Sequence, residues 1–229
     1  MTIEQSSLVP HKDMAHTLRK LQVTTVLDRL FAAAAQDNET PRWRKPGLSW
    51  ETATAQERAD ASEATYMPIS RQGGDLLYTL VRTKCPNTVI EFGTSYGISA
   101  IYLAAAVADN GMGRVLSTEL SETKVRAARA NLEEARLADR VTILPGDART
   151  TLHDIPGPID FVLLDGWKDL YLPVLRSLES RLATAALVVA DDINLPSVSG
   201  YLEYVRHTAN GYISVAFPVD DGMEISCWL

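Results

Sequence analysis

The chain has 229 residues, a formal net charge of −7 and two cysteines, and these values exclude several classes of protein. An acidic balance without a basic patch argues against a nucleic-acid-binding surface. Two cysteines without a Cys-x-x-Cys pair argue against a disulfide scaffold or a zinc site. The longest nearly apolar run, Ile98–Ala108, is too short to cross a bilayer. The first residues lack the basic start and apolar run of a signal peptide, which favours a cytoplasmic location.

The first third of the chain has a helical pattern. Apolar residues recur at helical spacing over residues 11–36, which predicts a first helix. Residues 38–47 contain two prolines, a glycine and clustered charges, and therefore predict a break. Thr54 and Glu57 have the spacing of a capping box, which predicts the start of a second helix.

We expect one Rossmann-like domain over residues 1–229, in which residues 1–65 form a helical cap on a core of residues 66–229. Trp43 and Trp50 are candidates to line a ligand pocket under this cap or to form an interface. Plain packing of the cap against the core is an equal alternative.

Short apolar runs alternate with helical stretches in the core. Five runs rich in Val, Ile and Leu predict buried strands at 88–92, 114–119, 141–146, 160–165 and 186–192. Helical stretches are predicted between them at 99–108, 122–138, near Thr150 and at 170–182. Strands of this kind, separated by helices, are typical of a parallel sheet covered on both faces, and right-handed crossovers make it doubly wound.

The last part of the chain departs from this alternation. Two strand-like runs, 212–219 and 223–228, are joined through an Asp-Asp-Gly turn, which predicts an antiparallel hairpin. The predicted fold is therefore α/β: a doubly wound, mostly parallel sheet of about seven strands with a C-terminal antiparallel hairpin and an N-terminal helical cap.

A glycine-rich turn connects the first strand to its helix over residues 89–99. Gly93 and Gly97 allow the backbone to approach a ligand closely. Their G-x-x-x-G spacing is not the dinucleotide fingerprint G-x-G-x-x-G. Glu91 at the strand tip would repel a pyrophosphate and attract a cation, so the turn suits a ligand with an amine or a sulfonium. A plain turn with two glycines is the alternative.

Two acidic positions follow the second and third strands. Glu119 ends the second strand, where a carboxylate can accept hydrogen bonds from both hydroxyls of a ribose. Asp147 follows the third strand and is a candidate partner for an adenine amino group.

Three further carboxylates follow the fourth and fifth strands: Asp165, Asp191 and Asp192. Because the carboxyl ends of parallel strands meet at one edge of the sheet, we expect these side chains to converge. A divalent cation such as Mg²⁺ would relieve their repulsion. A paired Lys or Arg, or protonation of one acid, would also relieve it.

These motifs together resemble the class I S-adenosylmethionine-dependent O-methyltransferases, above all the catechol and caffeoyl-CoA O-methyltransferase group. The resemblance covers roughly residues 66–192 in the family's motif order. Its most specific parts are the run LDGWKDLY at 164–171 and the run VVADD at 188–192.

The resemblance implies a role for each matching position, with S-adenosylmethionine as the cofactor. Residues expected around the methionine part are Met67, Ile69, Glu91, Gly93, Tyr96, Gly97 and Ser99, and Asp165 is a further expected cofactor-binding residue. Glu119 would hold the ribose, with Asp147 and Ala148 at the adenine and Trp167 packed against its ring. Asp165, Asp191 and Asp192 match metal-ligand positions, with Mg²⁺ as the expected ion. Lys168 matches the general base, with Asp165 as a second catalytic residue.

Two positions depart from the family pattern. Asp192 stands where the family usually has Asn and adds a negative charge to the site. An acid before the final hairpin turn holds the second hydroxyl in catechol O-methyltransferase, and an ungapped count places Val215 at that position. This argues against a catechol as the acceptor.

The predicted function is metal-assisted methyl transfer to a hydroxyl of a small aromatic molecule, with a small-molecule acceptor and a homodimer as the expected partners. Three alternatives stay open. The chain could be a metal-independent N- or C-methyltransferase acting on a heteroaromatic such as an indole. It could be a nucleotide- or NAD-binding protein, or a cofactor-binding module without catalysis.

Overall fold

The computed structural model describes residues 16–39 and 48–229, and these residues contain a central seven-stranded sheet. Its strands are β1 (Thr88–Phe92), β2 (Arg114–Glu119), β3 (Val141–Pro145), β4 (Ile159–Leu164), β5 (Leu182–Ala190), β6 (Tyr212–Phe217) and β7 (Met223–Trp228). Their spatial order is β3-β2-β1-β4-β5-β7-β6. The first five strands pair in parallel, and β7 lies antiparallel between β5 and β6. The predicted doubly wound sheet and its terminal hairpin are confirmed.

Helices cover both faces of this sheet. Their bounds are α1 (Leu21–Glu39), α2 (Ala55–Ala61), α3 (Arg71–Lys84), α4 (Ile98–Asn110), α5 (Glu122–Glu134), α6 (Ala148–Thr151), α7 (Tyr171–Leu178) and α8 (Ser199–Arg206). One apolar core lies between the sheet and helices α1, α3, α4 and α5. A second core lies between the opposite face and helices α6, α7 and α8. This two-core arrangement is what a sheet with nearly continuous apolar strands requires.

The capping box predicted for the second helix is confirmed. The side chain of Thr54 accepts a hydrogen bond from the backbone N–H of Glu57, and the carboxylate of Glu57 accepts one from the backbone N–H of Thr54. Each bond satisfies a backbone donor that has no partner within the helix. Helix α2 therefore starts at a defined point beside the edge of the sheet where the cavity described below opens.

Two predicted helix ends are wrong. Helix α5 ends at Glu134 rather than near residue 138, because Arg136 takes a left-handed φ of 56°. The backbone N–H of Leu137 then bonds to the carbonyl of Leu132, and that of Arg136 to Glu133, as in a Schellman motif. Helix α7 ends at Leu178 and is followed by a short 3₁₀ turn, so β5 begins four residues before its predicted start at residue 186.

Two helices, α3 and α8, are absent from the predicted elements. In α3 the signal is weakened by two glycines in its first turn, although the hydroxyl of Ser70 caps it by accepting from the backbone N–H of Gly73. The predicted first helix begins at residue 11, and residues 11–15 lie outside the described residues. So do residues 40–47 of the predicted break, including Trp43, whereas residues 38–39 belong to α1.

Membrane-spanning helices were also sought. Within residues 16–39 and 48–229, no helix combines the length and the apolar character that crossing a membrane would need.

Candidate active site

A cavity of about 660 Å³ opens at the carboxyl ends of the parallel strands. Its floor comes from the residues that follow β1, β2, β3, β4 and β5, and its roof from the segment before α3 and from α2. Ligands of doubly wound sheets bind at this edge, where the crossovers leave a crevice.

The glycine turn brings the ends of β1 and β4 together. Gly93 has a φ of +106°, and a Cβ atom built there would lie 2.5 Å from the carbonyl oxygen of Asp165. Gly97 has a φ of +88° and caps α4, and its Cβ would lie 3.3 Å from that of Ala128. A side chain at position 93 would therefore push the two strand ends apart and change the floor of the cavity.

Glu119 lies on the cavity wall with its carboxylate already oriented. Oε2 accepts a hydrogen bond of 2.8 Å from the backbone N–H of Ser95, and Oε1 accepts one of 2.8 Å from that of Ser121. Each carboxylate oxygen has a second lone pair, so both can still accept a hydroxyl.

Glu91 lies beneath the turn and is fully buried. Its Oε2 accepts a hydrogen bond from the hydroxyl of Ser117. Oε1 has no hydrogen-bond partner in the described part of the chain. Burial is the main cause that raises the pKa of this carboxyl to about 7. The structure places Glu91 behind the cavity wall and not on its surface.

The three predicted carboxylates converge. One oxygen atom from each of Asp165, Asp191 and Asp192 lies within 4.8 Å of the others. Burial raises the pKa of Asp165 to about 7 and that of Asp191 to about 8, and each is raised further by the neighbouring carboxylates. The positive φ of Asp192, 54°, turns the chain directly after β5 at this point.

Lys168 lies among these acids. Its Nζ is 3.3 Å from Oδ1 of Asp165 and 2.9 Å from Oδ2 of Asp192, and it donates a 2.8 Å hydrogen bond to the hydroxyl of Tyr171. Tyr171 in turn donates to the backbone carbonyl of Asp191. Burial alone would lower the pKa of Lys168, but the anionic neighbours outweigh it and hold that pKa well above its usual value.

The cluster of three carboxylates, Asp165, Asp191 and Asp192, fits a hard divalent cation. Mg²⁺ prefers oxygen ligands and is often held by one or two carboxylates together with substrate oxygens. Oδ1 of Asp191 is buried and has no hydrogen-bond partner among the described residues. An ion shared by the three acids would satisfy this oxygen and relieve the repulsion among the carboxylates.

The cap contributes an aromatic and cationic wall. The ring of Trp167 lies 4.9 Å from the guanidinium of Arg58 and 5.6 Å from the ring of Trp50. Both Nη atoms of Arg58 donate 2.9 Å hydrogen bonds to the carboxylate of Asp169. This ion pair joins α2 to the loop that carries Trp167 and Lys168.

Comparison with known proteins agrees with this geometry. Residues 90–193 match the family described as "Methyltransferase domain". Over 147 residues the chain is 29% identical to the catechol O-methyltransferase of Sus scrofa. This alignment covers 61% of this chain and 78% of the Sus scrofa protein. It is 32% identical over 142 residues to the catechol O-methyltransferase of Mycobacterium tuberculosis, covering 62% of this chain and 64% of that protein. The fold is similar to the crystal structure of the O-methyltransferase from Bacillus cereus in complex with SAH, with a TM-score of 0.65 and 18% identity. The superposition covers 87% of this chain and 100% of the Bacillus cereus chain.

The matched domain and these relatives support a class I S-adenosylmethionine-dependent O-methyltransferase of the catechol and caffeoyl-CoA type. The resemblance predicted from the motifs is thereby confirmed. The match spans less than two thirds of the mycobacterial relative's length, and neither the acceptor nor the metal follows from it.

Most of the predicted site residues of this methyltransferase line the cavity. They are Met67, Ile69, Gly93, Tyr96, Ser99, Glu119, Ala148, Asp165, Trp167, Lys168 and Asp192. Of the two candidate tryptophans, Trp50 is also in the wall.

Five positions lie elsewhere. Glu91 and Gly97 stand behind the turn, and Asp191 lies behind the wall beside Tyr171. Asp147 caps α6 and has both carboxylate oxygens bonded to Arg149. Val215, reached by the ungapped count, lies on the edge strand β6 with 59% of its surface exposed and makes no part of the cavity wall.

Sequence reasoning missed three wall residues that matter chemically: Arg58, Lys124 and Tyr66. Arg58 belongs to the predicted second helix, but nothing in the capping pattern indicates which helix face meets the core. Tyr66 stacks on Tyr96 with 4.0 Å between ring centroids. No signal in the sequence suggests that pair, because the two tyrosines are 30 residues apart.

Proposed function

We propose that this methyltransferase transfers the methyl group of S-adenosylmethionine to a hydroxyl of a small aromatic acceptor, assisted by Mg²⁺ and by Lys168 as general base. The observation that carries the proposal is the position of Lys168. Its ammonium group lies within 3.3 Å of two of the three converging carboxylates, on the wall of the cavity.

The cofactor half of the site is formed by the glycine turn and the end of β2. The two oxygens of Glu119 are oriented by backbone N–H groups and can accept both ribose hydroxyls. Ala148 and Gly146 offer a small, open wall for the adenine, and the ring of Trp167 offers a stacking surface. The methionine part of the cofactor would then lie against the Gly93–Ser99 turn.

The acceptor half is formed by the carboxylates and Lys168. A divalent cation held by Asp165, Asp191 and Asp192 would lower the pKa of an acceptor hydroxyl, and the cofactor's sulfonium would supply the methyl group. Carboxylates that bind a cation stabilise the protonated form of Lys168 less strongly. The pKa of Lys168 then falls, and its neutral amine can accept the proton of the acceptor hydroxyl. Tyr171 holds the Nζ atom in place through its 2.8 Å hydrogen bond.

The side chains around this half favour an aromatic acceptor. Leu195 lines the cavity beside Asp192, whose carbonyl accepts a hydrogen bond from its backbone N–H, and is 46% exposed. Trp50 also lines the cavity, next to Trp167. Flat aromatic and aliphatic surfaces bind an aromatic ring while a few polar groups fix its orientation.

One observation favours a second candidate, a metal-independent N- or C-methyltransferase. Lys168 already places a positive charge between Asp165 and Asp192, so the acids have a cationic partner without a metal. In this alternative the carboxylates would orient an acceptor N–H or act as bases.

A screen of phenolic, catecholic and indolic acceptors with isotopically labelled S-adenosylmethionine, run with and without a chelator, tests the proposal. Transfer to a phenolic hydroxyl that stops with chelator and returns with Mg²⁺ supports it. Full activity after exhaustive chelation would replace it with the metal-independent candidate. The homodimer and the cytoplasmic location stay predictions, and size measurement in solution tests the first.

A further inference from the structure

The glycine turn is fastened to the roof segment of the cavity, defined here as residues 63–69. The hydroxyl of Ser95 donates a 2.7 Å hydrogen bond to the backbone carbonyl of Tyr66. The hydroxyl of Tyr96 donates one of 2.8 Å to the backbone carbonyl of Glu63. The rings of Tyr66 and Tyr96 stack with 4.0 Å between their centroids. Two neighbouring residues of the turn therefore hold the roof segment at two of its carbonyl groups.

Ser95 also bonds to the opposite side of the cofactor half. Its backbone N–H donates a 2.8 Å hydrogen bond to Oε2 of Glu119, the expected ribose ligand. Residues 66–69 of the roof segment all line the cavity, and they include Met67 and Ile69, which are expected around the methionine part. Ser95 thus contacts the ribose side through its backbone and the methionine side through its hydroxyl.

Ser95 has a backbone conformation that serine rarely adopts. Its φ of +48° lies in the left-handed region, where a Cβ atom is crowded and glycine is favoured. A residue other than glycine in this region is informative, because its contacts must offset the conformational cost. Serine differs from glycine by its hydroxymethyl group, and the hydrogen bond of that group goes to the carbonyl of Tyr66. The strained serine is therefore explained by its contact with the roof segment.

We infer that Ser95 is a positioning residue, whose hydroxyl fixes the roof segment over the methionine part of the cofactor. The inference rests on the proposed function, because it takes the cofactor and the place of its ribose from it. A roof segment that is already fixed loses less conformational entropy when the cofactor binds. Without the hydroxyl of Ser95, binding of the cofactor has to order the roof segment, and the affinity falls.

The test compares Ser95→Ala with Ser95→Gly, because both lack the hydroxyl but keep the backbone N–H that bonds to Glu119. For both variants we expect the Kd of S-adenosylhomocysteine to rise about three- to tenfold, as for loss of one neutral hydrogen bond. The Kd of adenosine, which has the ribose but not the methionine part, should change less than about twofold. Calorimetry measures both constants, by displacement where a ligand binds weakly.

The melting temperature separates positioning from a general effect on the fold. Alanine keeps the strain of the left-handed conformation and glycine relieves it, so Ser95→Ala should melt at a lower temperature than Ser95→Gly. Positioning predicts the same affinity for both variants despite this difference. An affinity that falls in step with the melting temperature would overturn the inference. Cys85→Gly is the matched control, because Cys85 has a φ of +50° and lies outside the cavity wall, and its Kd should be unchanged.

Hydrogen exchange followed by mass spectrometry examines the roof segment directly. In both Ser95 variants the amides of residues 63–69 should exchange faster than in the parent protein, with or without S-adenosylhomocysteine. Weaker binding with unchanged exchange would mean that the hydroxyl contacts the cofactor itself. Equal weakening of adenosine would mean that it acts on the ribose. Either result, or an unchanged Kd of S-adenosylhomocysteine, overturns the inference.

Failure of the proposed function gives a different result. In that case the parent protein itself binds neither S-adenosylhomocysteine nor adenosine, and the inference about the cofactor fails with it. When only the inference fails, the parent protein binds S-adenosylhomocysteine and the Ser95 variants depart from the expected pattern.

Discussion

The Nζ atom of Lys168 lies 2.9 Å from Oδ2 of Asp192. Asp192 stands at a position where the catechol and caffeoyl-CoA O-methyltransferases usually have asparagine. The extra carboxylate has two opposing effects. It stabilises the protonated form of Lys168, which hinders a general base, and it adds negative charge that strengthens binding of a divalent cation. In the proposed function, Asp192 would therefore set the balance between the proton on Lys168 and binding of the divalent cation.

Asp192→Asn should expose this balance. We expect the pKa of Lys168 to fall because one anionic neighbour is lost, so the rise of kcat with pH should begin at lower pH. The Mg²⁺ concentration needed for half-maximal activity should rise, because a neutral amide oxygen is a weaker ligand. The pH profile of kcat at saturating Mg²⁺ measures the first effect, and an Mg²⁺ titration measures the second. An unchanged pH profile would show that Asp192 does not control the base.

Lys168→Met should separate base catalysis from metal binding. Turnover at neutral pH should fall about 10²- to 10⁴-fold, the usual contribution of a positioned base. Thermal stabilisation by Mg²⁺ should increase, because the ammonium group no longer competes for Asp165 and Asp192. Melting temperature against Mg²⁺ concentration measures this. A variant that loses both activity and Mg²⁺ stabilisation would place Lys168 in the metal site itself.

The core of the fold could be predicted from sequence because its strands are almost purely apolar and their ends carry turn signals. All seven strands lie where the pattern predicts them, within a few residues. The errors come from ends without such signals. Arg136 closes α5 in a left-handed conformation that usually belongs to glycine, and α3 has two glycines where a helix former is expected.

The strand pattern predicted the site residues that follow a strand, whereas Met67 and Ile69, which lie before α3, were predicted from the family resemblance. Glu119, Asp165 and Asp192 are brought to the cavity by the sheet alone. Arg58 and Lys124 arrive on helix faces, whose orientation depends on tertiary packing. The sequence also shows that Glu91 is at a strand tip, but not that its side chain points into the protein below the turn.

Glu91→Gln should remove a pH-dependent loss of stability. The pKa of the fully buried Glu91 carboxyl is about 7, against 4.5 for its ordinary value. The folded chain therefore keeps a proton that the unfolded chain releases, so the contribution of Glu91 to stability is full below pH 4.5 and is lost as pH rises to about 7. Between about pH 4 and about pH 8 the stability of the variant relative to the parent protein should rise by roughly 3 kcal/mol. Urea unfolding of both proteins at low and high pH measures this, and equal differences at both pH values would contradict it.

Glu119→Ala should weaken binding of S-adenosylhomocysteine by about 1–3 kcal/mol, through loss of two charged hydrogen bonds to the ribose. The substitution also exposes the backbone N–H groups of Ser95 and Ser121, which now bond to the carboxylate. Glu122→Ala is the matched control, because Glu122 is exposed at the start of α5 and lies outside the cavity wall. Calorimetry showing the same affinity for both variants would remove Glu119 from the ribose site.

The ion pair between Arg58 and Asp169 should couple the cap to cofactor binding. Arg58 packs on Trp167 while its Nη atoms bond to Asp169, so loss of either partner should let the Trp167 ring move away from the adenine position. We expect Arg58→Met and Asp169→Asn each to weaken binding of S-adenosylhomocysteine. The double variant should lose less than the sum, with a coupling of about 0.5–1 kcal/mol because Asp169 is half exposed. Arg71→Met, which breaks the exposed pair with Asp28 away from the cavity, is the control and should bind normally. Additive losses in calorimetry would mean that the two residues act on the cofactor independently and that the ion pair does not position Trp167.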